Sequence, residues 1–122
     1  MLNLLHSLHG VWDRDNPIGS HIYGHTNLIE MSLAFDLFWR NDVPASKLNM
    51  GLGFYGRAFQ LADPSYSKPR CLFKGGATEG AYSGESGILS YGKIMETIAT
   101  NDIKPIHDKE ASVKYITWNS DQ

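Results

Sequence analysis

The feature that most constrains the fold is an amphipathic helix predicted in the first half of the chain. Apolar residues recur at helical spacing from Asn27 to Trp39, namely Leu28, Met31, Phe35 and Phe38, with Ile29, Leu33, Ala34 and Leu37 widening the stripe. Asn27 is suited to cap the amino end, and Glu30 can complete a capping box with it. Val43-Pro44 indicates that the helix has already ended. A helix of this kind needs an apolar layer to pack against.

Short apolar runs on both sides of this helix have the character of strands. Leu2 to Leu8 is compatible with one buried strand. Leu48 to Phe54, which contains two glycines, is typical of a strand buried on both faces, and Tyr55-Gly56-Arg57 is predicted to end it. Strand, helix and strand in this order form the βαβ pattern of a parallel sheet. Two such strands cannot close a barrel, so the fold class predicted is α/β, as an incomplete barrel.

The second half of the chain has a different pattern, which divides the sequence into residues 1–60 and residues 61–122. Ala62 to Glu85 is rich in turn residues and is predicted to be a long irregular loop. After this loop, Ser90 to Thr100 is predicted to be a helix capped by Ser90. Two antiparallel strands are then predicted at Ile103 to Ile106 and Val113 to Trp118, on either side of a polar turn at His107 to Glu110. The second half is therefore predicted to be a loop followed by an α+β segment.

Composition excludes several classes of function. The 11 Lys and Arg residues are scattered and the formal net charge is -2, so no nucleic-acid surface is predicted. No stretch approaches the roughly 20 apolar residues that span a bilayer, so no membrane segment is expected. The amino end lacks the basic and apolar regions of a secretory signal, so no signal peptide is predicted in this chain. The sequence does not indicate an oligomeric state.

Neither a metal site nor a cofactor is predicted. His21 and His25 stand four residues apart, but no third ligand accompanies them. The carboxylates of Asp13, Asp15, Asp36 and Asp63 lack the context of an acid–base pair and are predicted to be solvated. The single cysteine, Cys71, is either a small buried apolar residue or half of a bridge to a residue outside the chain.

Aromatic and polar residues follow the two predicted strands of the first half. His9, Trp12 and Asp13 follow the first strand, and Tyr55 and Arg57 follow the second. In α/β barrels the active site is built from loops at these strand ends, so the two groups are predicted to lie side by side. Indole and guanidinium groups suit the apolar face and the oxygen atoms of a sugar. The alternatives are that Trp12 packs under its own loop and that Arg57 forms a structural salt bridge.

Three segments resemble glycoside hydrolase family 18, in its fungal chitinase and killer-toxin-like group. Leu8-His9-Gly10-Val11-Trp12-Asp13 resembles the segment after barrel strand six, and Gly51-Leu52-Gly53-Phe54-Tyr55-Gly56-Arg57-Ala58-Phe59 resembles the motif of strand seven. His107-Asp108-Lys109-Glu110-Ala111 with Val113-Lys114-Tyr115-Ile116-Thr117-Trp118 resembles the α+β insertion between strands seven and eight. The resemblance implies a carboxyl-terminal fragment of a (β/α)8 TIM barrel with the chitinase insertion.

The resemblance also implies a ligand and roles for three residues. Trp12 would stack on a sugar on the leaving-group side, and Tyr55 and Arg57 would line the cleft near the cleaved bond. The ligand would be chitin or a chitooligosaccharide, and the protein would be extracellular. Residues 1–60 would belong to the catalytic domain, and residues 61–122 would hold the insertion.

Two motifs of the family do not occur in this sequence. The family's Met-x-Tyr-Asp motif corresponds to Leu4-Leu5-His6-Ser7, so the first seven residues are questionable as part of the family. The acidic DxxDxDxE run, whose last residue is the general acid, occurs nowhere in the 122 residues. No catalytic residue is therefore assigned, and hydrolysis by this chain alone is not expected. Three interpretations remain: a substrate-cleft fragment of a chitinase, a non-catalytic chitin-binding module similar to a lectin, and a truncated gene product without activity.

Overall fold

The computed structural model of this α/β chain describes residues 2–4, 8–79 and 83–122. Its described part contains eight short strands: β1 Leu2–Leu4, β2 Leu48–Met50, β3 Tyr55–Arg57, β4 Phe59–Leu61, β5 Phe73–Gly76, β6 Ile88–Ser90, β7 Ile106–Asp108 and β8 Val113–Tyr115. It also contains the helices α1 Leu28–Arg40 and α2 Tyr91–Asn101, and 3-10 turns at Val11–Asp15 and Ala45–Lys47. The strands form four two-stranded ladders.

The first ladder confirms the predicted parallel strand–helix–strand unit. β1 pairs with β2 in parallel, with Leu2 opposite Leu48 and Leu4 opposite Met50. Helix α1 lies between them in the chain, as the crossover of a parallel pair requires. The predicted first strand extended to Leu8, but Leu8 is not part of a strand. Residues 5–7, which belong to that predicted strand and to the segment compared with Met-x-Tyr-Asp, lie outside the described residues.

Helix α1 forms where its periodicity predicts, and Asn27 caps it. The Asn27 side chain accepts a hydrogen bond from the backbone N–H of Ile29 at 3.0 Å, which satisfies one of the unpaired donors of the first turn. The predicted capping role of Glu30 is wrong. Its Oε2 atom lies 2.8 Å from the Nε2 atom of His9, a contact that directs this carboxylate to a neighbouring loop.

The prediction of one strand from Leu48 to Phe54, buried on both faces, is wrong. β2 ends at Met50, and the side chains of Leu52 and Phe54 are 68% and 83% exposed. β2 has a single ladder partner in the described structure, so no second strand covers its other edge. Tyr55–Arg57 does not end a strand but forms β3, because its backbone pairs with β6 in antiparallel register.

The main core lies between β4 and β5, and β5 falls in the segment predicted to be an irregular loop. The rings of Phe59 and Phe73 are 4.8 Å apart, and both belong to a buried cluster with Ile22, Leu61 and Cys71. The irregular-loop prediction is therefore wrong for β5, whose two glycines gave it no apolar alternation. Residues 80–82, also part of that predicted loop, lie outside the described residues.

Cys71 adopts the first of its two predicted alternatives, a small buried residue. Its Sγ atom lies 3.5 Å from the amide oxygen of Gln122, and burial raises the pKa of the thiol. The same Gln122 exchanges two backbone hydrogen bonds with Phe59, at 2.7 and 2.9 Å. The last residue therefore extends the β4–β5 core by one more backbone pairing.

The second half contains the predicted helix and an antiparallel strand pair. The bounds predicted for the first of these strands and for the turn are wrong, because His107 and Asp108 belong to β7 and not to the turn. Ser90 caps α2 by accepting a hydrogen bond from the N–H of Lys93. β7 and β8 pair in antiparallel register with Ile106 opposite Tyr115, so the turn comprises residues 109–112. The division of the chain at residue 60 stays a prediction. In the described ranges, no helix has the length and apolar character needed to cross a bilayer.

Candidate functional site

Arg57 lies against both aromatic residues that were predicted with it. Its Cζ atom is 4.8 Å from the centre of the Trp12 ring and 5.4 Å from the centre of the Tyr55 ring. Both distances fall within the roughly 6 Å at which a guanidinium is attracted to an aromatic face. The structure thus brings Trp12, Tyr55 and Arg57 together, while their role in binding substrate stays a prediction.

A tight 3-10 turn, Val11–Asp15, carries Trp12 to this position. The backbone N–H of Asp13 donates to the carbonyl of Gly10 at 3.0 Å and closes the turn. The Trp12 ring folds back over Gly10, where a Cβ atom would lie 2.5 Å from two of the ring carbons. The indole nevertheless keeps about half of its surface exposed. It rests on its own backbone and still presents an apolar surface to solvent.

His9 connects this turn to helix α1. Its Nδ1 atom lies 2.9 Å from Oδ2 of Asp13, and its Nε2 atom lies 2.8 Å from Oε2 of Glu30. The same Asp13 oxygen accepts a hydrogen bond from the N–H of Gly10 at 3.3 Å. The prediction that Asp13 is a solvated surface carboxylate is therefore wrong, because its side chain is 17% exposed and hydrogen-bonded. Asp15, Asp36 and Asp63 are exposed as predicted.

Strand β3 holds Tyr55 and Arg57. Tyr55 stands opposite Ser90 and Arg57 opposite Ile88 in the β3–β6 ladder. The Tyr55 ring stacks on the ring of His25, with centres 5.3 Å apart and planes inclined by 23°. Ladder pairing fixes the backbone of the two side chains, and ring stacking restricts the rotation of Tyr55.

A cavity of about 530 Å³ opens beside β3. Tyr55 and Arg57 line it together with His25, whereas Trp12 lies outside its lining. The wall formed by the second half of the chain is mainly apolar and contains Leu89, Ile94, Ile98, Val113, Ile116 and Trp118. Cavities of this size, apolar with a few convergent polar groups, are typical of small-molecule sites in proteins.

The contacts of three residues of this site were not predicted from the sequence. His9 was placed with Trp12 and Asp13 at the first strand end but was given no role of its own, Glu30 was assigned to a helix cap, and His25 was considered only as a metal ligand. The spacing of His9 and Asp13, four residues apart across a turn, is the one signal that could have indicated their contact. The contacts with Glu30 and His25 depend on how the chain folds back on itself.

His21 and His25, which were considered as metal ligands, make contacts with different parts of the chain. The Nδ1 atom of His21 is 2.8 Å from the carbonyl oxygen of Arg70, while His25 stacks on Tyr55. Among residues 8–79 and 83–122, no group of three His, Cys, Asp or Glu side chains is arranged to hold a metal ion.

Comparison with known proteins gives the family. The sequence profile of glycosyl hydrolases family 18 matches residues 1–122, including the first seven residues that lack the Met-x-Tyr-Asp motif. The chain belongs to this family. Family 18 membership thus extends over both halves of the chain and includes residues 1–7, whose place in the family the sequence motifs left in question.

Relatives in family 18 are much longer than this chain. A class V chitinase of Medicago truncatula is 27% identical over 114 residues, which is 90% of this chain and 28% of that protein. An oviduct-specific glycoprotein of Bos taurus is 34% identical over 92 residues, 75% of this chain and 17% of that protein. The chain therefore spans less than a third of the length of these relatives.

Solved structures of the family have the same fold over this region. A class V chitinase from Nicotiana tobaccum, solved as a mutant in complex with NAG4, matches with a TM-score of 0.80 and 22% identity, over 98% of this chain and 34% of that chain. The Group IV chitinase of Ostrinia furnacalis matches with a TM-score of 0.72 and 27% identity, over 93% of this chain and 33% of that chain. The arrangement of strands and helices described here is that of the corresponding third of a family 18 chitinase.

Proposed function

We propose that this chain forms one part of the sugar-binding cleft of a family 18 barrel and binds chains of β-1,4-linked N-acetylglucosamine. The observation that carries this proposal is the position of the Arg57 guanidinium, which lies over the rings of both Trp12 and Tyr55. The three residues come from the two segments that resemble the family's strand-six and strand-seven motifs. Their convergence is what a cleft at neighbouring strand ends requires.

The chemistry of the three side chains suits an amino-sugar polymer. A pyranose ring has an apolar C–H face, which the exposed indole of Trp12 can cover. The Arg57 guanidinium offers rigid planar donors for hydroxyl or acetamido oxygens. The related tobacco enzyme was solved with bound NAG4, which supports chitooligosaccharides as the ligand class.

Hydrolysis is proposed for the longer family 18 protein and not for these 122 residues. Family 18 enzymes use the acetamido carbonyl of the substrate as nucleophile, assisted by an acidic side chain. The resemblance assigns that acid to a DxxDxDxE run, which this sequence does not contain. Binding without cleavage, as in a lectin, is thus the activity expected of the chain itself.

We also propose that the chain is part of an incomplete barrel and that it acts outside the cell. The pairing of β1 with β2 around α1 supplies two neighbouring strands of a parallel sheet, and residues 61–122 supply the α+β insertion beside them. A relative from Penicillium expansum, 32% identical over 59% of this chain, is a secreted chitinase, which supports an extracellular site of action.

The test is titration of the 122-residue chain with the N-acetylglucosamine tetrasaccharide. Trp12→Ala and Arg57→Ala should each weaken binding about tenfold or more, since each removes a stacking face or a charged donor. Arg70→Ala is the matched control, because the Arg70 side chain is exposed and pairs with Glu110 at the surface. Absence of binding by the unmodified chain, or equal affinity in all variants, would refute the proposal. Release of shorter sugars by the chain would contradict the expectation of binding alone.

A further inference from the structure

His9 occupies a position between two carboxylates that belong to different elements. Asp13 lies in the 3-10 turn that carries Trp12, and Glu30 lies in the first turn of α1. The side chain of His9 is 18% exposed, so both contacts are partly shielded from water. Hydrogen bonds to carboxylates in such surroundings are stronger than those between neutral groups.

The contact with Asp13 controls the shape of the turn. Asp13 Oδ2 accepts from the backbone N–H of Gly10, and Asp13 N–H donates to the Gly10 carbonyl. Gly10 is the residue over which the Trp12 ring folds, with no room for a Cβ atom. An Asp13 side chain that rotated away from His9 would release Gly10 and, with it, the surface on which the indole rests.

The contact with Glu30 controls where the turn stands. Glu30 is fixed by helix α1, whose start is capped by Asn27. The ring of His9 also packs on Tyr23, with ring centres 4.9 Å apart. His9 therefore links the turn that carries Trp12 to a regular element of the fold.

We propose that His9 is a positioning residue, which holds the Trp12 turn against helix α1 so that the indole meets the Arg57 guanidinium. The proposal rests on the proposed function, because it concerns the same cleft. The role is indirect, because it depends on the contacts of His9 with Asp13, Glu30 and Tyr23 and not on a contact with the indole or the guanidinium. Its effect on sugar affinity passes through Asp13 and Glu30.

The test combines affinity for the N-acetylglucosamine tetrasaccharide with the indole N–H resonance of Trp12, assigned by its loss in Trp12→Phe. His9→Phe keeps an aromatic ring beside Tyr23 but removes both hydrogen bonds. It should weaken binding about tenfold and shift the Trp12 resonance, leaving those of Trp39 and Trp118 in place. His9→Asn keeps a hydrogen-bond donor near Asp13. Its affinity and its Trp12 resonance should therefore lie between those of His9→Phe and those of the unmodified chain.

Glu30→Gln and Asp15→Asn complete the design. Glu30→Gln weakens the contact with α1 at a more exposed position, so a loss of about threefold is expected, and it tests the proposal even where His9→Phe fails to fold. Asp15→Asn removes a carboxylate from the same turn at an exposed position away from His9, so affinity and resonance should stay unchanged.

The outcomes separate this inference from the proposed function. If Trp12→Ala leaves tetrasaccharide binding unchanged, the proposed function fails. If Trp12→Ala weakens binding while His9→Phe and Glu30→Gln keep the affinity and the Trp12 resonance of the unmodified chain, the role of His9 is refuted. Equal shifts of all three indole resonances in His9→Phe would likewise refute a specific positioning role.

Discussion

Gly10 and Trp12 are in such close contact that a Cβ atom on Gly10 would lie 2.5 Å from the indole ring. The φ angle of Gly10 is -174°, an extended conformation that any residue adopts. Glycine is therefore favoured at this position by the observed place of the ring and not by its backbone conformation. The affinity of the cleft should be sensitive to one added methyl group here.

Gly10→Ala should displace the Trp12 ring and weaken binding of the N-acetylglucosamine tetrasaccharide. Overpacking of this kind costs about 1–3 kcal/mol, which corresponds to an affinity loss of about 5- to 150-fold if the whole cost is paid in the sugar-bound state. Gly75→Ala is the control, because a Cβ atom there meets nothing within 4 Å. Isothermal titration of both variants checks this, and equal affinities would contradict the packing argument.

Phe59→Leu should lower the free energy of unfolding by about 1 kcal/mol, because it removes the aromatic contact with Phe73 inside the main core. Phe54→Leu makes the same chemical change at an 83% exposed side chain and should alter stability by less than about 0.5 kcal/mol. Urea unfolding of the two variants provides the comparison. Similar losses in both would show that β4 and β5 do not form the stabilising core.

Asp121→Asn should change how stability depends on pH. Burial raises the pKa of the Asp121 carboxyl above its ordinary value of 3.8. Stability from this group is therefore fully present below pH 3.8 and is lost as the pH rises through the folded-state pKa. An asparagine stays neutral, so the variant should gain stability relative to the unmodified chain as the pH rises over that range.

Asp63→Asn is the control of opposite sign for this experiment. Hydrogen bonds from the hydroxyl and backbone of Ser65 lower the pKa of the Asp63 carboxyl. Its contribution is present above the unfolded-state value and is lost as the pH falls through the folded-state pKa. Urea midpoints measured from acidic to neutral pH should diverge in opposite directions for the two variants, and parallel curves would contradict both assignments.

Local signals in the sequence predicted the helices well. The stripe of α1 and the side chains of Asn27 and Ser90 predicted both helices and their caps, because periodicity and capping depend on residues only a few positions apart. β5 was missed, since a strand ending in two glycines has no alternation to detect. Its pairing with β4 is decided by the burial of Phe59 and Phe73.

In the first half of the chain, the order of strands and helix was predicted better than which side chains are buried. Apolar periodicity indicates which side chains suit an interior, but whether they are buried depends on neighbouring strands and helices. Leu52 and Phe54 belong to the apolar run that predicted a buried strand, but both are exposed, since β2 pairs only with β1 in the described structure. For the candidate site, the family motifs predicted Trp12, Tyr55 and Arg57, whereas His9, Glu30 and His25 required the tertiary arrangement.

The pairing of Tyr55 with Ser90 in the β3–β6 ladder links the cleft to the second half of the chain. Ser90 is also the cap of α2, and the Ile94 side chain of that helix packs so near Gly56 that a Cβ atom there would lie 2.8 Å from it. Strand β3 and helix α2, which both line the cavity, are consequently held together by backbone pairing and by side-chain packing. A ligand that bound in this cavity would meet a wall already in place and would not have to draw α2 towards β3.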